Sequence, residues 1–173
     1  MQHAAQALGK GLAEQNIRLI YGGGRVGLMG IVADAVLDAG GEVIGIIPEF
    51  LSKREVAHEG LTEHHVTDTM HSRKTKMFAL ADVFITMPGG LGTLDETVEI
   101  VTWRQLGLHD KPILICNFGG WARGLLAAFD AAINDGFADP SAADLYEVLP
   151  TVDSVLERLK ALSPRPEADT SRL

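Results

Sequence analysis

The run Pro88-Gly89-Gly90-Leu91-Gly92-Thr93-Leu94-Asp95-Glu96 joins a glycine-rich turn to a hydroxyl and two carboxylates. Glycines expose backbone N–H groups without side chains in the way, so a phosphate can approach the chain closely. A carboxylate one turn further on can then act on whatever that phosphate carries. A second cluster, Thr69-Met70-His71-Ser72-Arg73-Lys74-Thr75-Lys76-Met77, concentrates Arg73, Lys74 and Lys76 near one end of an expected helix. Cations are poorly placed at a helix N-terminus, where the dipole is positive, so this cluster calls for an anion to offset it. Arg73 offers a planar fork of donors for phosphate or carboxylate, and Lys74 a compact charge. His71 reads as a helix-start histidine, and His64 and His65 lie in an alternating segment without a third ligand at a recognised zinc spacing.

These groups need elements to position them. The apolar, β-branched run at 82–87 reads as a buried strand and 93–105 as a helix, which puts the glycines at a helix N-terminus. Along the chain the pattern predicts helix 2–15, strand 17–21, helix 27–39, strand 42–47, a short strand at 63–67, helix 70–80, strand 82–87 and helix 93–105. Strand 112–116, helix 120–135, a short strand at 145–148 and helix 151–162 complete it. Alternation of this kind predicts an α/β fold, a Rossmann-like, doubly wound parallel sheet. Residues 1–162 read as one domain, and the polar, proline-punctuated 163–173 as a mobile tail.

With 173 residues and 46% hydrophobic content the chain can bury one sizeable core. The formal net charge of −8 argues against a general nucleic-acid binder, whose affinity comes from clustered Lys and Arg. Cys116, alone in the apolar run Pro112-Ile113-Leu114-Ile115-Cys116, reads as a buried strand thiol and not a nucleophile. There is no apolar run of about 18 residues and no signal-peptide pattern, so the expected setting is cytoplasmic, with no membrane partner. A second glycine loop, Tyr21-Gly22-Gly23-Gly24-Arg25-Val26-Gly27-Leu28-Met29-Gly30, contains G-x-G-x-x-G and raises a dinucleotide reading in which Glu49 would hold a ribose diol. Pro48 and the richer loop at 88–96 oppose that reading, and Gly27 and Gly30 are equally suited to close helix packing.

Taken together and in this order, the glycine loop at 21–30, Met70-His71-Ser72-Arg73-Lys74 and the 88–96 run resemble the Lonely Guy (LOG) family of cytokinin riboside 5'-monophosphate phosphoribohydrolases. Thr102-Trp103-Arg104-Gln105-Leu106-Gly107 and His109-Asp110-Lys111-Pro112 extend the resemblance to about residues 3–160. It implies a homodimer, without cofactor or metal, that cleaves a nucleoside 5'-monophosphate to free base and ribose 5-phosphate. The family's PGGxGTxxE signature falls on residues 88–96 and its arginine on Arg73. The resemblance makes Arg73 and Glu96 the catalytic pair. It lines the nucleotide site with Leu91, Leu94 and Asp95 beside Gly90, Gly92 and Thr93, and adds Glu55, Lys74 and Thr102.

Cleavage of a base-to-ribose bond makes the sugar carbon oxocarbenium-like, so a carboxylate beside it stabilises positive charge or activates water. Glu96 is the better candidate. Asp95 points about 100° away on the helix and suits a dipole-favourable first-turn role. Arg73 could orient the substrate, orient Glu96 or offset charge on the departing base. Family members usually begin with a strand ending in a Cys-Gly-Ser-Ser-like turn, whereas this sequence starts inside the first helix. Such a strand would lie mid-sheet, so its absence is expected to leave apolar edges and ladder groups open. Two other readings stay open: a noncatalytic nucleotide or cofactor carrier of the same fold, and an amino-acid decarboxylase, for which no Schiff-base lysine is marked.

Overall fold

In a computed structural model, residues 1–52 and 57–162 are described. Glu55 and the tail at 163–173 lie outside them. The elements are α1 (Gln2–Glu14), β1 (Leu19–Tyr21), α2 (Gly27–Asp38), β2 (Val43–Pro48), α3 (Glu49–Ser52), β3 (Glu63–Thr67) and α4 (Met70–Leu80). The second half contributes β4 (Phe84–Thr86), α5 (Leu91–Gln105), β5 (Ile113–Cys116), α6 (Arg123–Asn134), β6 (Glu147–Leu149) and α7 (Val152–Leu162).

All ladders are parallel, and they form two three-stranded sheets, β1-β2-β3 and β4-β5-β6. Parallel strands alternating with helices in both sheets are consistent with the Rossmann-like α/β arrangement expected from the alternating elements. The fully buried strands β2 and β5 carry the continuous apolar runs that a sheet covered on both faces requires. Helix α1 buries Ala4, Ala5, Leu8 and Leu12 against α2 and α7. Gly9 permits that approach, since a Cβ there would lie 2.5 Å from the Val32 carbonyl oxygen. Cys116 is buried within this core and its burial pushes the thiol up, as a structural strand residue should behave.

The described strands do not form one continuous sheet. No ladder joins β1 and β4, and a cleft of about 710 Å³ runs between them, walled by Leu19 and Ile20 on one side and Phe84 and Ile85 on the other. With ladder partners on one side only, both strands are shorter than their apolar runs, three residues each where 17–21 and 82–87 were expected. Helix α5 starts two residues earlier than expected, on Leu91, with Gly90 as its N-cap. Helix α6 starts three residues later than expected, because Gly119 (φ 63°) and Gly120 (φ 75°) adopt left-handed backbone.

Candidate active site

Helix α4 begins with a reciprocal cap. The Thr69 hydroxyl accepts from the Ser72 N–H at 3.0 Å while the Thr69 N–H donates to the Ser72 hydroxyl at 3.1 Å. One position further on, Arg73 is buried at 9% exposure. Its Nε donates to the Ile46 carbonyl of β2 at 3.1 Å, and its Nη1 lies 3.1 Å from Glu96 Oε1 on α5. Its Nη2 packs over Gly22, where any Cβ would overlap it. The guanidinium is thus fixed on two sides, with donor capacity left at the cleft. Gly22 is glycine because Arg73 occupies the place of its side chain.

The rest of the first glycine loop is explained from within the chain. Gly23 and Gly27 have φ of 76° and 72°, and a Cβ on Gly30 would overlap the Arg25 carbonyl. The loop is also covered, by the bridge between Gly24 and Ala57 and by the His58 N–H on the Gly23 carbonyl at 3.2 Å.

The second glycine loop is different. Gly89 is forced, because a Cβ would overlap the Thr93 hydroxyl, but a Cβ on Gly90 or Gly92 would meet nothing within 4 Å and neither residue has positive φ. The α5 N-terminus has no side-chain cap, and no acceptor within the described residues takes the N–H groups of Gly90 to Thr93. Beneath it, the buried Thr97 hydroxyl donates to the Thr93 carbonyl at 2.6 Å and accepts from Thr86 at 3.0 Å, tying the first turn of α5 to the end of β4. At a rise of about 1.5 Å per residue, Glu96 lies about 6 Å along the axis from Gly92. Gly89, Gly90, Gly92, Thr93 and Glu96 therefore line one mouth of the cleft together with Arg73.

The two carboxylates of the motif take different partners. Asp95 Oδ2 is 2.7 Å from Lys74 Nζ, and Glu99 Oε2 is 3.1 Å from the same nitrogen. The hydrogen bond that Lys74 donates to Asp95, supported by Glu99, holds the ammonium above its usual range. The anion that the basic turn calls for is thus supplied largely by α5 itself. Lys76 turns away to His65 Nδ1, 3.0 Å distant. Leu91 is 85% exposed, Leu94 is half-buried, and Thr102 donates to its own helix at the Val98 carbonyl, 2.8 Å away, roughly 14 Å along α5 from Thr93. Within one chain, Thr102 is not brought to the cleft. Among the described residues no group of three or more His, Cys, Asp or Glu could hold a metal ion.

A family model described as "Possible lysine decarboxylase" matches residues 29–159. LOG3 of Arabidopsis thaliana, a cytokinin riboside 5'-monophosphate phosphoribohydrolase, is 43% identical over 172 residues, covering 99% of this chain and 80% of that protein. The chain belongs to the Lonely Guy family. The Lonely Guy relative LOGL6 of Oryza sativa subsp. japonica, described as a probable enzyme of the same name, is 46% identical over 164 residues, 95% of this chain and 66% of that protein. A bacterial cytokinin riboside 5'-monophosphate phosphoribohydrolase, from Rhodococcoides fascians, is 43% identical over 158 residues, 91% of this chain and 80% of that one. The chain therefore spans about two thirds of the rice protein and four fifths of the other two. Among solved structures, the molybdenum cofactor binding protein of Rippkaea orientalis superposes with a TM-score of 0.69 at 20% identity, over 94% of this chain and 88% of that one. The Moco carrier protein of Chlamydomonas reinhardtii gives 0.68 at 21%, over 93% and 86%. At such identity the likeness shows the fold.

Sequence reasoning missed three residues around this candidate site. Glu99 shares Lys74 with Asp95, Thr97 bonds beneath the glycine turn, and the Trp121 indole reaches the Gly89 carbonyl at 3.0 Å. Glu99 follows Asp95 at i+4 on the same helix face, a spacing that could have singled it out.

Proposed function

We propose that this Lonely Guy family member hydrolyses the N-glycosidic bond of a purine nucleoside 5'-monophosphate, AMP or an N6-substituted AMP, to free base and ribose 5-phosphate. The observation that carries this reading is the room at Gly90 and Gly92. Nothing in the chain's own packing or backbone angles requires glycine there, and that room lies beside a carboxylate held by a buried arginine. A ligand that must approach the backbone closely accounts for it, and open N–H groups at a helix N-terminus select an anion.

With the 5'-phosphate on Gly90, Gly92 and Thr93, the ribose extends along α5 toward Glu96. Water oxygen bonds to the anomeric carbon, the bond to the base nitrogen breaks with its electron pair going to the base, and the base takes up a proton from solvent, to which the proton received by Glu96 is returned after turnover. Glu96 offsets the oxocarbenium-like charge and receives the proton of the attacking water. Arg73 keeps Glu96 in place through Nη1 and offers Nη2 to the substrate. Met70 and Met77 border the cleft and give an aliphatic N6 substituent an apolar surface.

A decarboxylase reading would ask for a neutral lysine amine. The cleft lysine, Lys74, is instead held as the ammonium by Asp95 and Glu99. The likeness to molybdenum cofactor carriers supports the architecture alone. A cytoplasmic homodimer completes the reading. Leu91, Val98 and Leu106 are exposed at 85%, 42% and 67% and share a stripe with Thr102 at helical spacing, which would carry Thr102 to a second copy.

The test is turnover of AMP and N6-isopentenyl-AMP by purified variants. Glu96→Gln and Arg73→Ala lose at least about a hundredfold in kcat, while Asp95→Asn, whose carboxylate pairs with Lys74, loses less than about tenfold. Full activity in Glu96→Gln removes the proposed chemistry.

A further inference from the structure

We infer that Trp121 is a positioning residue for the phosphate subsite, acting through the Gly89–Gly90 peptide. This rests on the phosphoribohydrolase reading and deepens it by assigning what orients the loop's donors. Trp121 follows β5 and, unlike Arg73 and Glu96, does not line the cleft. Its place is built by a tight turn: Asn117 N–H donates to the Leu149 carbonyl at 2.8 Å, and Asn117 Oδ1 accepts from the Ala122 N–H at 2.9 Å. The left-handed Gly119 and Gly120 swing the chain round between them. The ring packs on the cluster of Val101, Ile113, Ile115 and Ala122, so its orientation is set by the core of the β4-β5-β6 half. From there the indole N–H donates to the Gly89 carbonyl, 32 residues away in sequence, at 3.0 Å.

That bond has a geometric consequence. No described peptide bond is cis, and in a planar trans peptide the C=O of one residue and the N–H of the next point in opposite directions. Holding the Gly89 carbonyl toward Trp121 therefore directs the Gly90 N–H away from Trp121, toward the side on which Gly90, Gly92 and Thr93 line the cleft. No acceptor for this N–H is found among the described residues. Glycines on both sides of the peptide leave it otherwise free to rotate, which is why an external anchor matters. A Cβ on Gly89 would overlap the Thr93 hydroxyl, so this residue has to be glycine, and the Trp121 bond to its carbonyl supplies the anchor that a side chain cannot.

Trp121→Phe keeps an aromatic ring for the cluster but has no N–H. Trp121→His restores one, because its Nε2 lies about as far from Cβ as the indole nitrogen. Binding of AMP, ribose 5-phosphate and adenosine is measured by calorimetry, in a Glu96→Gln background so that nucleotide survives, together with steady-state kinetics of the single Trp121 variants. The expected result is a ten- to hundredfold loss of affinity for AMP and ribose 5-phosphate in Trp121→Phe, from one misdirected charge-assisted hydrogen bond. Adenosine binding and kcat at saturating AMP stay within about threefold, KM rises in step with the lost affinity, and Trp121→His recovers most of it. Unchanged AMP affinity in Trp121→Phe overturns the inference. So does an equal loss for AMP and adenosine, which marks a merely structural role, or an absence of ribose 5-phosphate binding by the parent protein. Phosphate-selective binding that depends on Trp121 in a protein that leaves AMP intact upholds the positioning role and overturns the phosphoribohydrolase reading.

Discussion

Gly92→Ala separates the needs of the fold from those of the ligand at one atom. Gly92 lies within the first turn of α5, its φ is not positive, and a Cβ there would meet nothing within 4 Å. Alanine is favoured over glycine inside a helix by roughly 0.5–1 kcal/mol, so the free protein becomes more stable. At roughly 2–4 °C per kcal/mol for a chain of this size, the unfolding midpoint rises by about 1–4 °C. The same methyl fills the space in which a phosphate would pack against the backbone. Losing one or two charge-assisted hydrogen bonds, at about 1.5–3 kcal/mol each, weakens AMP binding by at least about tenfold. Scanning calorimetry and AMP titration on one preparation read both effects, with adenosine as the control lacking the phosphate. A raised midpoint with undiminished AMP affinity would refute the argument that Gly90 and Gly92 are glycine on account of a ligand.

Other perturbations probe the supports. Gly22→Ala drives a methyl into Arg73 Nη2, so the guanidinium leaves Glu96 and kcat falls at least about tenfold, measured by AMP turnover. Val98→Asp together with Leu106→Asp places charge on the exposed stripe of α5, and sedimentation should show the parent as a dimer and this variant as a monomer. Arg158 grips Glu147 with two bonds, 2.6 and 2.7 Å, and this holds the Glu147 carboxyl below its usual 4.5. A depressed carboxyl contributes stability that is fully present above the unfolded value and disappears as pH falls through the folded one. Melts of Arg158→Met should therefore lie below the parent at pH 6, with the gap narrowing as pH falls below 4.5, whereas a gap independent of pH would place the effect elsewhere.

The sequence was informative wherever local pattern decides structure. Apolar runs at 43–47 and 113–116 become the buried strands β2 and β5, and the glycine turn does open a helix after a strand. The 100° separation of Asp95 from Glu96 corresponds to different partners, Lys74 for one and Arg73 for the other. Tertiary partners were illegible because nothing local encodes them. The basic turn calls for an anion, but that Lys74 finds it on α5, 21 and 25 residues on, follows only from how α4 and α5 meet. Gly22 fits the G-x-G-x-x-G pattern, but what keeps it glycine is Arg73, which lies across it and is distant in sequence. Trp121 carries no motif, and its role depends on a turn after β5 that left-handed glycines create. Strand ends at β1 and β4 fell short of their apolar runs because ladder pairing, not composition, sets where a strand stops.

The central claim is that water cleaves the base-to-ribose bond at the Arg73–Glu96 pair. Incubating the protein with AMP, then separating the products by chromatography with mass detection, tests it directly. The account predicts adenine and ribose 5-phosphate in equal amounts, formed at least about a hundredfold more slowly by Glu96→Gln. Intact AMP recovered from well-folded protein would contradict it.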